Sequence, residues 1–237
     1  MRRRYSSCSS ETVAADRRYR LDVQFSDFEK PRLRGVLHLY AFGVAVVLGA
    51  LLVLTADGLR GRVSAGVFAL AVAAMFGASA LYHVPNWRPR PRRWLRRLDH
   101  AMIYALIAGT YTPFGLLVLT GAWQVVVLAI VWSGAAAAML LKLVWVDSPK
   151  WLAAAIGIAL GWVGVVAFPQ LARIGVVGMV LIVAGGVLYT AGSIVYARRR
   201  PDPAPAVFGY HELFHALVIA AAACQYAAIA FYVLPDA

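Results

Sequence analysis

From its amino end the chain is polar for about thirty residues, then becomes a succession of long apolar runs. The runs fall at about 36–55, 63–83, 99–120, 123–144, 151–168, 174–196 and 211–233. Turn and breaker residues divide them: Asp57-Gly58, Pro85 to Pro91, Gly121, Ser148-Pro149, Pro169 and Pro201 to Pro205. Each run is close to the roughly 20 residues a helix needs to cross the hydrocarbon of a bilayer. The pattern predicts an all-α polytopic membrane protein of seven transmembrane helices over 31–237, preceded by a polar tail over 1–30.

Composition agrees, since 62% of the 237 residues are hydrophobic and only 14% are charged. A soluble domain of this size carries more charge than that. The basic start MRRRYSSCSSET is not followed by an apolar core, so a cleaved signal peptide is not expected. Cys8 and Cys224 form neither a disulfide framework nor a thiolate metal motif.

The net charge of +12 invites a nucleic-acid reading, but the basic residues cluster beside the apolar runs. That is the pattern of the positive-inside rule, and no nucleic-acid partner is expected. With seven spans and a cytoplasmic N-terminus, the inside segments are 1–35, 84–98, about 142–150 and 197–210. They hold twenty of the 23 Lys and Arg residues, leaving only Arg60, Arg62 and Arg173 outside. The expected orientation is therefore N-terminus in the cytoplasm and C-terminus outside, in a cell membrane.

This parity brings polar residues from three distant runs to one leaflet. Span two ends there with Ser79 and His83, span three starts there with Asp99, and span seven starts there with His211 and His215. Ionisable groups at such depth cost several kcal/mol unless they pair, bind metal or line a polar cavity. His211 and His215 are four apart, which puts them on one helix face about 6 Å apart at Cβ. Ser79 and His83 repeat the spacing. Three neutral imidazoles can hold one zinc ion with a fourth position open to water, the catalytic rather than the structural pattern. Water there would titrate near roughly pH 7, with Asp99 as general base and Ser79 orienting the water or donating to an oxyanion.

Plainer roles stand beside these. Asp99 could be the N-cap of span three, and Ser79 could back-bond to a helix carbonyl. His38 reads as a packing residue or a hydrogen-bonding neighbour of the site, and His100 as interfacial. Trp87, Trp94, Trp123, Trp145 and Trp151 fall at span ends and read as an aromatic belt. The stretch from Arg88 to Arg97 reads as a loop contacting anionic head groups. The string H-E-L-F-H also matches HExxH, the zinc-peptidase helix in which the glutamate is base. The usual downstream ligand is missing, because the extended motif fails at Val218 and Ala221.

At these residues the sequence resembles the bacterial hemolysin III proteins of the progestin and adipoQ receptor family, which includes the adiponectin receptors. The resemblance is carried by KPRLRGVLH (30–38), SALYHVPNW (79–87), RRLDHAMIYALIAGTYTPF (96–114) and the stretch 189–218 that ends in HELFHALV. It implies a seven-helix fold with zinc held by His83, His211 and His215, and with Asp99 and Ser79 as the water-binding acid and serine. It further implies a ceramidase-like hydrolysis of lipid amides or esters, with membrane lipids as partners and substrates. Gln225 departs from the pattern, standing where many bacterial relatives have a histidine, three turns beyond the ligand pair. Two other functions remain open at this point: a regulator of membrane homeostasis, or a cytolysin, with structural zinc; and an intramembrane zinc peptidase.

Overall fold

A computed structural model describes residues 30–235, so all of the polar tail except Lys30 lies outside the described residues. The helices are α1 (Val36–Thr55), α2 (Gly58–His83), α3 (Pro89–Pro113), α4 (Ala122–Val144), α5 (Lys150–Gly161), α6 (Gly175–Arg198) and α7 (Tyr210–Ala228). Wider π-helical turns extend α3 over Phe114–Val118 and α7 over Ile229–Val233, and 3-10 turns with one short helical turn fill 163–174. Among the described residues no strand forms beyond an isolated bridge between Ala204 and Phe208.

Six stretches are long and apolar enough to cross a membrane: Val36–Thr55, Gly58–His83, Pro89–Val118, Ala122–Val144, Lys150–Arg198 and Tyr210–Val233. The protein is an all-α, multi-pass membrane protein. The fifth stretch has 49 residues, far more than one crossing needs. It doubles back: the Lys150 ammonium lies 4.4 Å from the centre of the Tyr196 ring, joining the two ends. The reversal falls at the 3-10 turns, where Gly161, Gly164 and Gly175 weaken the helix and Pro169 interrupts it.

Neighbours in sequence pack as neighbours in space, and α1 closes the ring on α7. In α1 only His38, Gly49 and Leu52 are buried, while Leu39, Val44, Leu51 and Leu54 point outward. An apolar outer face is what lipid contact requires. Association under lipid must then come from close packing and interhelical hydrogen bonds.

One element differs from the sequence expectation. Helix α3 starts at Pro89 rather than near 99, so the arginine-rich stretch is helix instead of loop. Pro at the first helical position is favoured, and Arg, Leu and Trp prolong the helix into the polar layer. At the other end, Pro113 is the last residue of α3, and the chain runs on directly into the π turn. Thr110 and Thr112 donate back to Leu106 O (2.8 Å) and Ala108 O (2.9 Å), and the helix widens into its π turn immediately after.

Candidate metal centre

The site assembles where α2 ends and α7 begins. The segment leading into α1 is clamped to the loop before α7: Arg32 N–H donates to Ala206 O (3.1 Å) and Leu33 N–H to Val207 O (3.2 Å). Gly35 then turns the chain into α1 with φ of 79°, a conformation that favours glycine. A Cβ on Gly35 would also collide with the Cβ of His83, so this close approach admits no side chain. The first turn of α7 is fixed by Glu212, whose Oε2 accepts from Gly209 N–H at 2.9 Å. Asp202 Oδ1 accepts from Tyr210 N–H at 2.7 Å beside it.

His83, His211 and His215 are all buried, and one ligand atom from each lies within 4.8 Å of the others. Nε2 of His211 and Nε2 of His83 are 3.1 Å apart. Asp99 Oδ2 lies 3.6 Å from His83 Nε2, yet Asp99 is not a member of the mutually close set. It stands beside the triad. It also sits well inside α3, about three turns from the start, so it is not an N-cap. Ser79 is 2% exposed and its Oγ has no hydrogen-bond partner, so it does not back-bond to its helix. His215 Nδ1 is likewise buried without a partner. Buried imidazole and hydroxyl groups left unpaired are costly. A cation held by the three histidines, with a polar ligand beside Ser79, would remove that cost. The donor set fits a metal ion.

Of the two readings open for His38, the structure supports packing: it stacks flat on His215, with ring centroids 3.7 Å apart at 9°, and is 2% exposed. It therefore fixes one face of the His215 ring. Arg34 Nε donates to Glu212 Oε1, and Glu212 is fully buried. Both glutamate oxygens are thus engaged in holding α7 to the α1 entry, which counts against a general-base role in an HExxH reading. Arg34→Ala would leave that carboxylate buried with only the Gly209 N–H. Removing one partner of a fully buried pair costs about 3–5 kcal/mol, and the partial exposure of Arg34 brings the cost here below that. The expected outcome is a melting temperature well below wild type in the same detergent, and an unchanged melting curve would remove the clamp.

A cavity of about 190 Å³ opens from this centre and runs along the inside of the bundle. Asp99, Ser79, His211 and His215 line one end, and Leu119, Phe168 and Leu171 the other. Along α3 that is roughly 30 Å, the depth of the hydrocarbon layer. Its wall is mostly apolar. Tyr111 OH ties the far end, donating to Gly161 O (2.7 Å) and accepting from Gly164 N–H (2.8 Å). His100 lines the cavity instead of the interface, with Nδ1 buried and unpartnered.

A multi-pass helical membrane protein with a buried histidine triad at the mouth of an interior cavity is the class this arrangement defines. Residues 26–226 match the model of the Haemolysin-III related family, and the chain belongs to that family. It is similar to the Hemolysin-3 homolog of Bacillus subtilis (strain 168), 30% identical over 171 residues that cover 72% of this chain and 77% of the relative. It is also similar to Hemolysin-3 of Bacillus cereus, 32% identical over 172 residues covering 72% and 75%.

Proposed function

We propose that the chain is a zinc-dependent hydrolase of lipid amides or esters, working in the bacterial plasma membrane. The observation that carries this reading is the histidine triad, of which His211 and His215 line a long apolar cavity, with Asp99 beside it but outside the close set. Two nitrogens on one tetrahedral zinc at about 2.0–2.1 Å would sit roughly 3.3 Å apart. The 3.1 Å between His83 and His211 is near that value. Zinc held by His83, His211 and His215 would supply Lewis acidity toward water and a carbonyl.

The remaining chemistry belongs to the chain. The Asp99 carboxylate accepts a proton from the attacking water and returns it to the departing nitrogen or oxygen. Ser79 Oγ, having no partner among the described residues, donates to the oxyanion that develops on the carbonyl. His38 keeps the His215 ring from rotating. The apolar cavity takes the acyl chain and excludes water from it. The test is release of fatty acid from a panel of ceramides and other acyl amides and esters by the purified protein, followed by mass spectrometry. No release from any of them moves the weight to a regulator in which the metal is structural.

We also infer seven crossings, because the 49-residue stretch folds back on itself, with the N-terminus and the metal centre on the cytoplasmic side. The basic bias supports that side. A cysteine placed in the 88–97 stretch should be labelled only from the cytoplasm. Labelling from outside would reverse the orientation.

A further inference from the structure

Lys142 lies near the end of α4 that adjoins the metal centre, and most lysines at such a place face water or head groups. This one does not. It is 3% exposed, and it lines the same cavity as Asp99, His100 and Tyr196. Its ammonium donates to Ser148 Oγ. Among the described residues no carboxylate comes within ion-pair distance of it. The nearby carboxylate of Asp147 is taken by Arg96 Nη1 at 2.7 Å and points to the surface. Lys142 is therefore a buried cation satisfied by one neutral hydroxyl, on the wall of the long, mostly apolar cavity. An ammonium has three N–H donors, and burying it without a counter-charge is expensive. A residue serving only to mark the cytoplasmic side would be exposed.

We propose that Lys142, with Ser148, forms an oxyanion-binding subsite at the head-group end of the cavity and that the lipid it selects carries a phosphate there. The inference deepens the hydrolase reading by naming the substrate class: acyl lipids with an acidic head group, in preference to neutral ones. The placement is consistent with one molecule reaching both positions. The acyl chain would lie along the apolar wall, the carbonyl at the histidine end, and the phosphate at Lys142, since all three regions line one cavity. A second cation, Lys150, does not line the cavity: its Nζ lies 4.4 Å from the centre of the Tyr196 ring and 2.9 Å from Tyr210 OH. That ammonium already has two aromatic partners and a hydroxyl, which leaves Lys142 as the less satisfied charge.

The experiment measures binding, not turnover. Full-length protein in neutral maltoside micelles is titrated with a single-chain lysophospholipid bearing a phosphate monoester, with the matching monoacylglycerol, and with inorganic phosphate. Wild type, Lys142→Met, Lys142→Arg and Ser148→Ala are compared, and each is melted without lipid. Wild type should prefer the phosphate lipid over the neutral one by at least about tenfold, the scale of one charge-assisted hydrogen bond. Lys142→Met should bring the ratio near one, and Lys142→Arg should keep most of it. If Lys142 were only a clasp on the loop after α4, Lys142→Met and Ser148→Ala would lower the melting temperature alike and leave the ratio untouched. That result would overturn the proposal, as would a wild-type ratio near one. Inorganic phosphate displacing the lipid at equal concentration would overturn the lipid assignment in favour of a free-anion site. A phosphate preference in a chain that hydrolyses nothing would keep this inference and end the hydrolase reading, so the two fail separately.

Discussion

Freshly purified protein should carry about one zinc per chain, and His211→Ala or His215→Ala should reduce it to background. The reason is geometric. Three imidazoles converge within 4.8 Å, and Asp99 lies outside the set, so losing one histidine leaves two nitrogens and no protein group ready to replace the third. Affinity of a three-histidine site does not survive that loss at the metal concentrations of a purification. His83→Ala should behave alike, since its Nε2 is the atom shared between the His211 contact and the Asp99 contact. His38→Phe provides the contrast. It keeps a ring stacked on His215 but has no nitrogen, so it should retain metal, with a faster loss to chelator from a less well held ligand ring. Metal analysis by plasma mass spectrometry decides it. Wild-type zinc near zero, or full zinc in His211→Ala, would remove the metal centre assigned to the triad.

The histidine cluster was legible because two simple periodicities expose it. His211 and His215, and likewise Ser79 and His83, are four apart on helices, and the expected seven crossings would send all three segments to one leaflet. Buried polar residues in apolar runs announce themselves, since lipid offers them nothing. Asp99 was legible as a neighbour, although its N-cap alternative fell only when α3 proved to start at Pro89. That start was missed because the arginine-rich stretch lacks an apolar stripe, while helix formation needs only good propensity and a proline at the first position. The reversal within Lys150–Arg198 was expected as a loop at Pro169, yet it extends over 163–174 as 3-10 turns. Arg34 and Glu212, 178 positions apart, meet through packing that no local pattern encodes. The same holds for Lys142: its sequence context looks like a charged span end, and only the packed cavity wall shows it buried. His38 is the middle case, visible as a polar residue in an apolar run but without a partner in view until α1 closed against α7.

Asp99→Asn should keep its zinc and lose nearly all turnover, by roughly 10²–10⁴ if the carboxylate is the general base. The substitution preserves shape and one acceptor oxygen, so the 3.6 Å approach to His83 remains sterically available. What disappears is the ability to take a proton from water and hand it to the departing group. Because Asp99 lies outside the close histidine set, its amide should cost little metal affinity, and zinc content becomes the control for folding. A direct structural ligand behaves differently: its loss would weaken zinc binding and thermal stability together, with no separate kinetic effect. Ser79→Ala tests the other polar group in the same assay. An oxyanion donor costs about 10²–10³ in kcat when removed, while the binding of the acyl lipid should hardly change. Zinc-replete Asp99→Asn releasing fatty acid at the wild-type rate would strip the carboxylate of its role even if hydrolysis itself is real. Zinc lost together with stability would instead make Asp99 the fourth ligand of a closed metal site, and a closed site has no position at which water and a lipid carbonyl could meet.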